Sequence, residues 1–128
     1  MLSMRSLSAS RCAFSTTSRV PKEFIVIAYD ADTSDALQHR LDVRPRHLKQ
    51  AHKVLNNGFL KYAGAILKSH EPVQVQGAKA PAMIGSVMVV EAESEQEVKQ
   101  RLDEDPYVKE GVWKQWEIRP FKRWLPDA

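Results

Sequence analysis

Residues 23–30 read EFIVIAYD, and apolar side chains stand at consecutive positions in the middle of this segment. A short continuous apolar run of this kind predicts a buried strand. The segment MIGSVMVVEA at 83–92 has the same character, and FLKYAGAILK (59–68) and VWKQWEIRPF (112–121) are further strand candidates. These strands predict a sheet at the centre of the fold.

A helix is predicted between the first two strands, from Asp42 to Asn56. Apolar residues recur there at helical spacing, namely Leu48, Ala51 and Leu55. We expect Asp42 to cap the start of this helix and Pro45 to lie in its first turn, where the missing N–H of proline is not needed. The preceding residues 31–41 are expected to form a polar connection.

A second helix is predicted after the third strand. Ser94-x-x-Glu97 forms a capping box ahead of apolar residues, and this is a helix-start signal. Asp105-Pro106 ends the helix, because the residue before a proline is disfavoured in the α region. Residues 106–110 can then form one further turn, with Asp105 as its N-cap.

The order of these elements is β-α-β-β-α-β, the ferredoxin-like arrangement of the α+β class, with an antiparallel four-stranded sheet. Both helices lie on one face of such a sheet, so the other face alternates with polar residues where it meets water. The first and third strands do not alternate. We therefore predict that the same sheet of a second subunit covers this face in a twofold homodimer. The alternative is cover from the 69–82 connection, which can form a hairpin arm, and from Phe121 and Trp124.

Residues 1–22 differ in composition from the rest of the chain. They are rich in Ser and contain four basic residues and no acidic one, a composition typical of a mitochondrial transit peptide. We predict that this segment is disordered and directs the protein to the mitochondrial matrix. A single domain is then expected at 23–124, followed by a tail at 125–128. A disordered tail without a targeting role is the alternative for residues 1–22.

Composition argues against several classes of function. After residue 22 the chain has 15 basic and 16 acidic residues, whereas a nucleic-acid partner requires clustered Lys and Arg. No apolar run approaches the roughly 20 residues of a membrane span. The only cysteine, Cys12, lies in the predicted presequence. We therefore expect no disulfide, no cysteine metal site and no thiolate nucleophile in the folded domain.

A histidine stands on the apolar side of the first predicted helix. At about 100° per residue, His47 and Arg44 fall on the same side as Leu48, opposite Lys49 and Lys53. Burying a polar group without a partner costs on the order of 1–3 kcal/mol, so both residues need partners or a cavity. A cavity lined by a cation and an imidazole suits an acid or a phenol. The alternative is a structural histidine with satisfied hydrogen bonds.

Two further polar residues each have two interpretations. Asp105 is either an N-cap alone or also a carboxylate that reaches His47, fixing its tautomer and raising its basicity. Ser86 interrupts an apolar strand and bonds either a ligand or the local backbone. The sequence contains no nucleotide-binding, metalloprotease or nucleophile-elbow motif. We predict neither a metal nor a cofactor.

Three segments together resemble the YciI-like family, also called the YCII-related domain. They are RLDVRPRHLKQ (40–50), GSVMVVEAES (85–94) and DPYVKEGVWKQWEIRPFKRW (105–124). The resemblance covers about residues 23–124 and implies the fold of dimeric α+β barrels such as muconolactone isomerase. The 69–82 connection differs from that of compact bacterial members, so the resemblance predicts neither the mouth of the pocket nor the substrate.

The same resemblance implies a pocket between sheet and helices that contains a His–Asp pair and binds a small molecule. Its implied residues on this chain are His47, Asp105, Ser86 as a third polar candidate, and Arg40 and Arg44 as contacts to an anionic ligand.

The resulting hypothesis is a small metal-free enzyme that performs general acid/base chemistry on a small polar or aromatic acid. It would be a lyase, an isomerase or dehydrochlorinase-like, since one relative is similar to a dehydrochlorinase of a hydroxylated chloroaromatic ring. His47 would be the base, Asp105 its orienting partner, Ser86 a hydrogen-bond donor and Arg44 an anion contact. The rival hypothesis is a non-catalytic metabolite-binding or accessory dimer. Its contact surface would contain Trp113, Trp116 and Trp124.

Overall fold

The computed structural model describes residues 21–124. The predicted presequence lies outside these residues except for its last two, and the predicted C-terminal tail lies outside them as well. The elements in chain order are β1 (Lys22–Asp30), α1 (Ala36–Asn56), β2 (Leu60–Leu67), β3 (Val73–Val75), β4 (Ala78–Ala80), β5 (Met83–Ala92), α2 (Glu95–Leu102), α3 (Pro106–Lys109) and β6 (Trp113–Phe121).

Four of the strands form one antiparallel sheet in the order β2-β5-β1-β6. Strands β1 and β5 are therefore neighbours at the centre of the sheet, and β6 and β2 form its two edges. Helix α1 connects β1 to the edge strand β2. This is the predicted ferredoxin-like topology, and the prediction is confirmed. The remaining two strands, β3 and β4, pair as a separate hairpin within the 69–82 connection.

The helices cover one face of the sheet, and the hydrophobic core lies between the helices and this face. Alternate residues of β1 point to that face and are buried, namely Phe24, Val26 and Ala28. They pair across the strands with Val90, Met88 and Ser86 of β5. Because side chains alternate along a strand, this register places Ser86 on the helix side of the sheet.

The other face of the sheet has no helix against it among the described residues. Ile25 and Ile27 of β1 point there and are half-buried. Tyr62 of β2, which pairs with Val89, is 72% exposed. Trp124, offered above as alternative cover, is itself 82% exposed and so does not shield this face.

The first helix begins earlier than predicted. It starts at Ala36, and Asp42 lies inside it, where its carboxylate accepts a hydrogen bond from Gln38 Nε2 at 2.7 Å. The predicted cap at Asp42 is therefore wrong. Pro45 is also not in the first turn but in the helix interior, on an exposed side. The carbonyl that its missing N–H leaves free can bond to water there, which lessens the cost of an interior proline.

The inward side of α1 is rotated relative to the prediction centred on Leu48. Leu48 and Leu55 are 36% and 49% exposed. The residues that pack inward are spaced by three and four positions, as one face of a helix requires. They are Arg40, Val43, His47, Ala51 and Val54.

The two capping predictions for the second half of the chain are confirmed. Ser94 Oγ accepts a hydrogen bond from the Glu97 backbone N–H at 3.1 Å and starts α2. Asp105 caps α3 by accepting from the Tyr107 backbone N–H at 2.8 Å. No helix in the described part of the chain is long and apolar enough to cross a membrane.

Strand β5 leaves no room for a side chain at Gly85, next to Ser86. A Cβ atom on the neighbouring Gly85 would lie 2.3 Å from the carbonyl oxygen of Ala28. No real Cβ atom tolerates that distance to backbone, so glycine is required for the strands to pair in this register.

Candidate active site

A cavity of about 220 Å³ lies between α1 and the strands β2 and β5. All five residues predicted for the site line it: His47, Asp105, Ser86, Arg40 and Arg44. A more open groove of about 950 Å³ at the other end of the sheet is larger, but no histidine lines it. The smaller cavity is where the residues predicted for the site converge.

His47 and Asp105 are in direct contact in this cavity. His47 Nδ1 lies 2.8 Å from Asp105 Oδ1, and the two side chains are only 15% and 11% exposed. A carboxylate accepts hydrogen bonds, so the tautomer inferred for neutral His47 has its proton on Nδ1. Nε2 is then an unprotonated nitrogen able to accept a proton.

Asp105 is held in place by the turn that it caps. The same Oδ1 atom that contacts His47 also accepts the Tyr107 backbone N–H, at 2.8 Å. Both arrangements considered for Asp105 from the sequence are therefore present at once. The geometry of a four-residue helix determines where the carboxylate stands relative to the imidazole.

Two aromatic rings surround the imidazole, and neither was predicted to belong to the site. Tyr107 stacks on His47 with the ring centroids 3.8 Å apart and the planes at 7°. Trp113 meets His47 edge-on, at 5.8 Å and 77°. In the sequence, Tyr107 was only one residue of the segment 105–124 that resembles the family. Trp113 was assigned to a contact surface, but it is 2% exposed and belongs to the core.

Burial also affects the phenol of Tyr107. Its hydroxyl is buried and has no hydrogen-bond partner among the described residues. Desolvation raises the pKa of Tyr107 above its ordinary value of 10.0, and the nearby guanidinium groups of Arg40 and Arg44 oppose the rise. The phenol therefore stays neutral throughout the physiological range.

Ser86 is bonded by side chains from two other elements, not by the local backbone. Its Oγ accepts from Arg40 Nη2 at 2.7 Å and from Trp113 Nε1 at 3.3 Å. A hydroxyl oxygen has two lone pairs and one hydrogen. Since both lone pairs are used, the hydrogen of Ser86 is left to donate, and Ser86 lines the cavity.

Arg40 is a less suitable anion contact than the sequence predicted. It lies in α1, not in a connection, and is 3% exposed. Its Nη1 donates to both carboxylate oxygens of Asp30, at 2.8 and 3.1 Å, so its charge is already neutralised. Desolvation raises the pKa of Asp30, and Arg40 opposes that rise by its charge and its hydrogen bonds.

Arg44 occupies a different position, at the cavity mouth. Arg44 is exposed to solvent and also lines the cavity. Within residues 21–124 it forms no ion pair, in contrast to Arg40 and Arg46. Of the two arginines predicted to contact an anion, Arg44 is therefore the one whose charge remains available.

The described residues contain no cluster of three or more His, Cys, Asp or Glu side chains that could hold a metal ion. The polar groups of the cavity form instead a set with defined directions: an acceptor at His47 Nε2, a donor at Ser86 and a cation at Arg44. Such a set can remove a proton from a ligand and stabilise the negative charge that develops on its oxygen.

Comparison with known protein families gives one matching family model, that of the YCII-related domain, over residues 23–122. Protein YciI of Escherichia coli is 33% identical over 101 residues, which cover 77% of this chain and 97% of that protein. Fusaric acid biosynthesis protein 2 of Gibberella fujikuroi is 33% identical over 103 residues, covering 79% of this chain and 93% of the relative.

Among the solved structures with a similar fold, one matches over most of its length. It is 5-chloro-2-hydroxyhydroquinone dehydrochlorinase of Burkholderia phenoliruptrix AC1100 in complex with 2,5-dihydroxybenzoquinone, with a TM-score of 0.64 and 23% sequence identity. The match covers 78% of this chain and 93% of that one. At this identity the likeness concerns the fold.

Proposed function

The chain belongs to the family of the YCII-related domain, and from this premise we propose that it is an enzyme that transfers a proton on a small planar acid or phenol. The observation that carries the proposal is the 2.8 Å contact between His47 and Asp105 inside a cavity. A buried carboxylate that binds Nδ1–H leaves Nε2 as a general base.

The size and polarity of the cavity support a small ligand. Its volume of about 220 Å³ is below the roughly 300–1,000 Å³ of pockets for drug-sized molecules. The apolar lining from Ala63, Ala65 and Met88 suits the faces of a single ring. An oxygen on that ring can accept from Ser86, and an anionic group can contact Arg44 at the mouth.

The proposed chemistry is elimination or isomerisation. His47 Nε2 removes a proton from the ligand, and the electron pair moves toward a ring oxygen, whose negative charge is stabilised by Ser86 and Arg44. In an elimination the electron pair then expels a leaving group. The solved dehydrochlorinase with the same fold supports this class of reaction by analogy.

We test the proposal with the compound bound in that dehydrochlorinase, 2,5-dihydroxybenzoquinone, as a ligand probe. A ligand at 100 times its dissociation constant stabilises a native protein by about 2.7 kcal/mol, which a thermal-shift assay detects. We expect the wild-type protein to be stabilised and Arg44→Gln to lose most of the effect. Absence of any shift would exclude this ligand class.

Turnover is then measured as chloride release from 5-chloro-2-hydroxyhydroquinone. We expect His47→Gln to lower the rate at least about 100-fold, the low end of general-base contributions. The matched control is His52→Gln, a histidine on the exposed side of the same helix, which should retain the rate. Binding without turnover in the wild type would favour a non-catalytic metabolite-binding module.

We further propose that the protein is a homodimer through the uncovered sheet face. The apolar side chains of this face come from two paired strands. They are Ile25, Ile27 and Tyr29 of β1 and, beside them, Val87 and Val89 of β5. A contiguous apolar sheet face of this kind is expected to be covered by a partner. The same face of a second copy is self-complementary under a twofold axis.

The mitochondrial matrix remains a proposal that is supported by the composition of residues 1–22. Imaging of the full chain with a C-terminal fluorescent tag, beside a variant that lacks these residues, tests it. Cytosolic signal from both would contradict it.

A further inference from the structure

Tyr107 contacts both members of the His47–Asp105 pair. Its ring lies flat on the imidazole of His47, with 3.8 Å between centroids and 7° between planes. Its backbone N–H donates to the Asp105 oxygen that also accepts from His47 Nδ1. No other residue in the described chain contacts both groups in these two ways.

A single hydrogen bond does not fix an imidazole in space. The final torsion of a histidine side chain is broad, and a ring held only at Nδ1 can still rock about that bond. A parallel ring at van der Waals distance removes this motion, because tilting the imidazole would drive its atoms into the ring below. The direction of Nε2, which the proposed reaction uses, depends on this plane.

Tyr107 is itself immobile enough to serve as such a plane. It is 0% exposed. Trp113 packs edge-on against its ring at 5.4 Å, and the guanidinium carbon of Arg40 lies 4.8 Å from the ring centroid. Its hydroxyl has no hydrogen-bond partner among the described residues. The ring and the amide are therefore the parts of Tyr107 that act on the site.

We propose that Tyr107 is a positioning residue that sets the plane of the His47 imidazole and thereby keeps Nδ1 directed at Asp105, the carboxylate that fixes the tautomer. The residue does not act on the ligand; it acts through His47. The inference rests on the proposed function for its consequence in catalysis, since only a proton-transferring histidine needs a defined Nε2 direction.

The test uses Tyr107→Phe and Tyr107→Leu with ¹⁵N-labelled histidine. Imidazole ¹⁵N chemical shifts report which nitrogen has the proton, independently of any substrate. We expect wild type and Tyr107→Phe to show His47 mainly as the Nδ1–H tautomer. In Tyr107→Leu we expect the Nε2–H tautomer to appear and the signals to broaden, while exposed His52 on the same helix is unchanged as the internal reference.

The proposal is overturned if folded Tyr107→Leu keeps the wild-type tautomer and line width. Leucine leaves a void in the core, and the variant can fail to fold for that reason alone. Pentafluorophenylalanine at position 107 then serves as the second variant, because it keeps the ring shape and reverses the sign of the ring face. We expect this variant to keep the Nδ1–H tautomer and the line width of Tyr107→Phe, because a flat ring still lies against the imidazole. Loss of that tautomer in the folded variant would also contradict the proposal.

Activity separates this inference from the proposed function. If the enzyme turns over, Tyr107→Leu should lower kcat about 10-fold or more with a smaller change in KM, because the tyrosine, although it lines the cavity, is proposed to hold the base and not the ligand. If the tautomer changes as expected but no variant turns over the probe, Tyr107 is a positioning residue and the proposed reaction is wrong. A higher KM with an unchanged kcat would instead indicate that Tyr107 is only a wall of the cavity, and it would contradict the positioning role.

Discussion

Arg40 and Asp30 form an ion pair in which both side chains are at most 4% exposed. The pair joins the end of β1 to α1, and the remaining terminal nitrogen of Arg40 bonds Ser86 at 2.7 Å. A carboxylate at the end of a strand thus determines, through one arginine, how the cavity serine is oriented. The same ion pair therefore stabilises the fold and orients a polar side chain of the cavity.

Replacing Arg40 with Met should cost roughly 3–5 kcal/mol of unfolding free energy, because it leaves a buried carboxylate without its partner. Urea denaturation at pH 7 measures this loss. Arg46→Met is the matched control, since Arg46 lies on the same helix but its ion pair with Glu110 is 56% and 40% exposed. A similar loss in both variants would contradict the role given to burial.

The cost of Arg40→Met should depend on pH. Desolvation raises the folded-state pKa of Asp30 above its ordinary value of 3.8, and Arg40 opposes the rise in the wild type. Without Arg40 the folded protein holds the proton to higher pH than the unfolded chain does. The stability of the variant is then best preserved below about pH 3.8 and is lost as the pH rises through the folded-state pKa. Urea denaturation from pH 3.5 to 7 should show this trend.

Asp105→Asn and Asp105→Ala should separate the structural role of this residue from its proposed chemical one. Asn caps helices about as well as Asp, whereas Ala costs about 0.5–2 kcal/mol at an N-cap. We therefore expect Asp105→Asn to unfold at nearly the wild-type urea concentration and Asp105→Ala at a lower one. Both should lose at least about 10-fold in turnover, since neither retains the carboxylate on Nδ1. Full activity in the Asn variant would remove the charge of Asp105 from the mechanism.

Tyr107→Phe should keep or raise the stability of the protein. It removes a buried hydroxyl that has no partner in the described chain, and such groups cost about 1–3 kcal/mol. Desolvation raises the pKa of Tyr107 above 10.0, so the wild type should lose stability as the pH rises above that value and the Phe variant should lose less. Tyrosinate absorbance should show a late ionisation step that is missing from the variant. A clear loss of stability at neutral pH would show that the hydroxyl has a partner.

Gly85→Ala should destabilise the sheet by roughly 1–3 kcal/mol, the usual cost of overpacking. Its Cβ would meet the Ala28 carbonyl oxygen at 2.3 Å. Gly64→Ala is the control, because Gly64 is also in a strand and no atom lies within 4 Å of its added Cβ. We expect the control to be neutral or more stable in thermal denaturation. Equal losses would assign the effect to glycine in general.

Ile27→Glu should dissociate the proposed dimer. Ile27 points to the uncovered sheet face, opposite Val87, and a charge there would be buried without a partner in the interface. Light scattering after size exclusion measures the mass. Leu55→Glu, which adds the same charge at a site on α1 that is 49% exposed, should remain dimeric. A monomeric wild type would contradict the proposal directly.

The features that the sequence predicted correctly are set by neighbours along the chain. The apolar runs at 23–30 and 83–92 predicted the central strands, and the capping residues Ser94 and Asp105 predicted where α2 and α3 begin. Each depends on residues within one segment of at most ten positions. The start of α1 was missed, because Asp42 was interpreted as the cap, whereas Asp35, the residue before the helix, makes no side-chain cap bond.

The site was predictable only in part, because its contacts join distant segments. A helical period placed His47 inward, but its distance to Asp105, 58 positions away, could come only from the tertiary structure. The pairing of Arg40 with Asp30 depends on where β1 ends, which no local pattern indicates. The stacking of Tyr107 depends on the turn that Asp105 starts. Family resemblance suggested five polar residues, whereas the aromatic groups around them were found only by geometry.

One oxygen of Asp105 closes a turn of the backbone and also holds the imidazole. A lineage that abandoned the chemistry would still be under selection for a helix-capping side chain at position 105, where Asn serves about as well as Asp. Among related genes, pseudoenzymes would therefore keep Asp or Asn there, as active enzymes keep Asp. Substitution at position 47 is the change that would distinguish them.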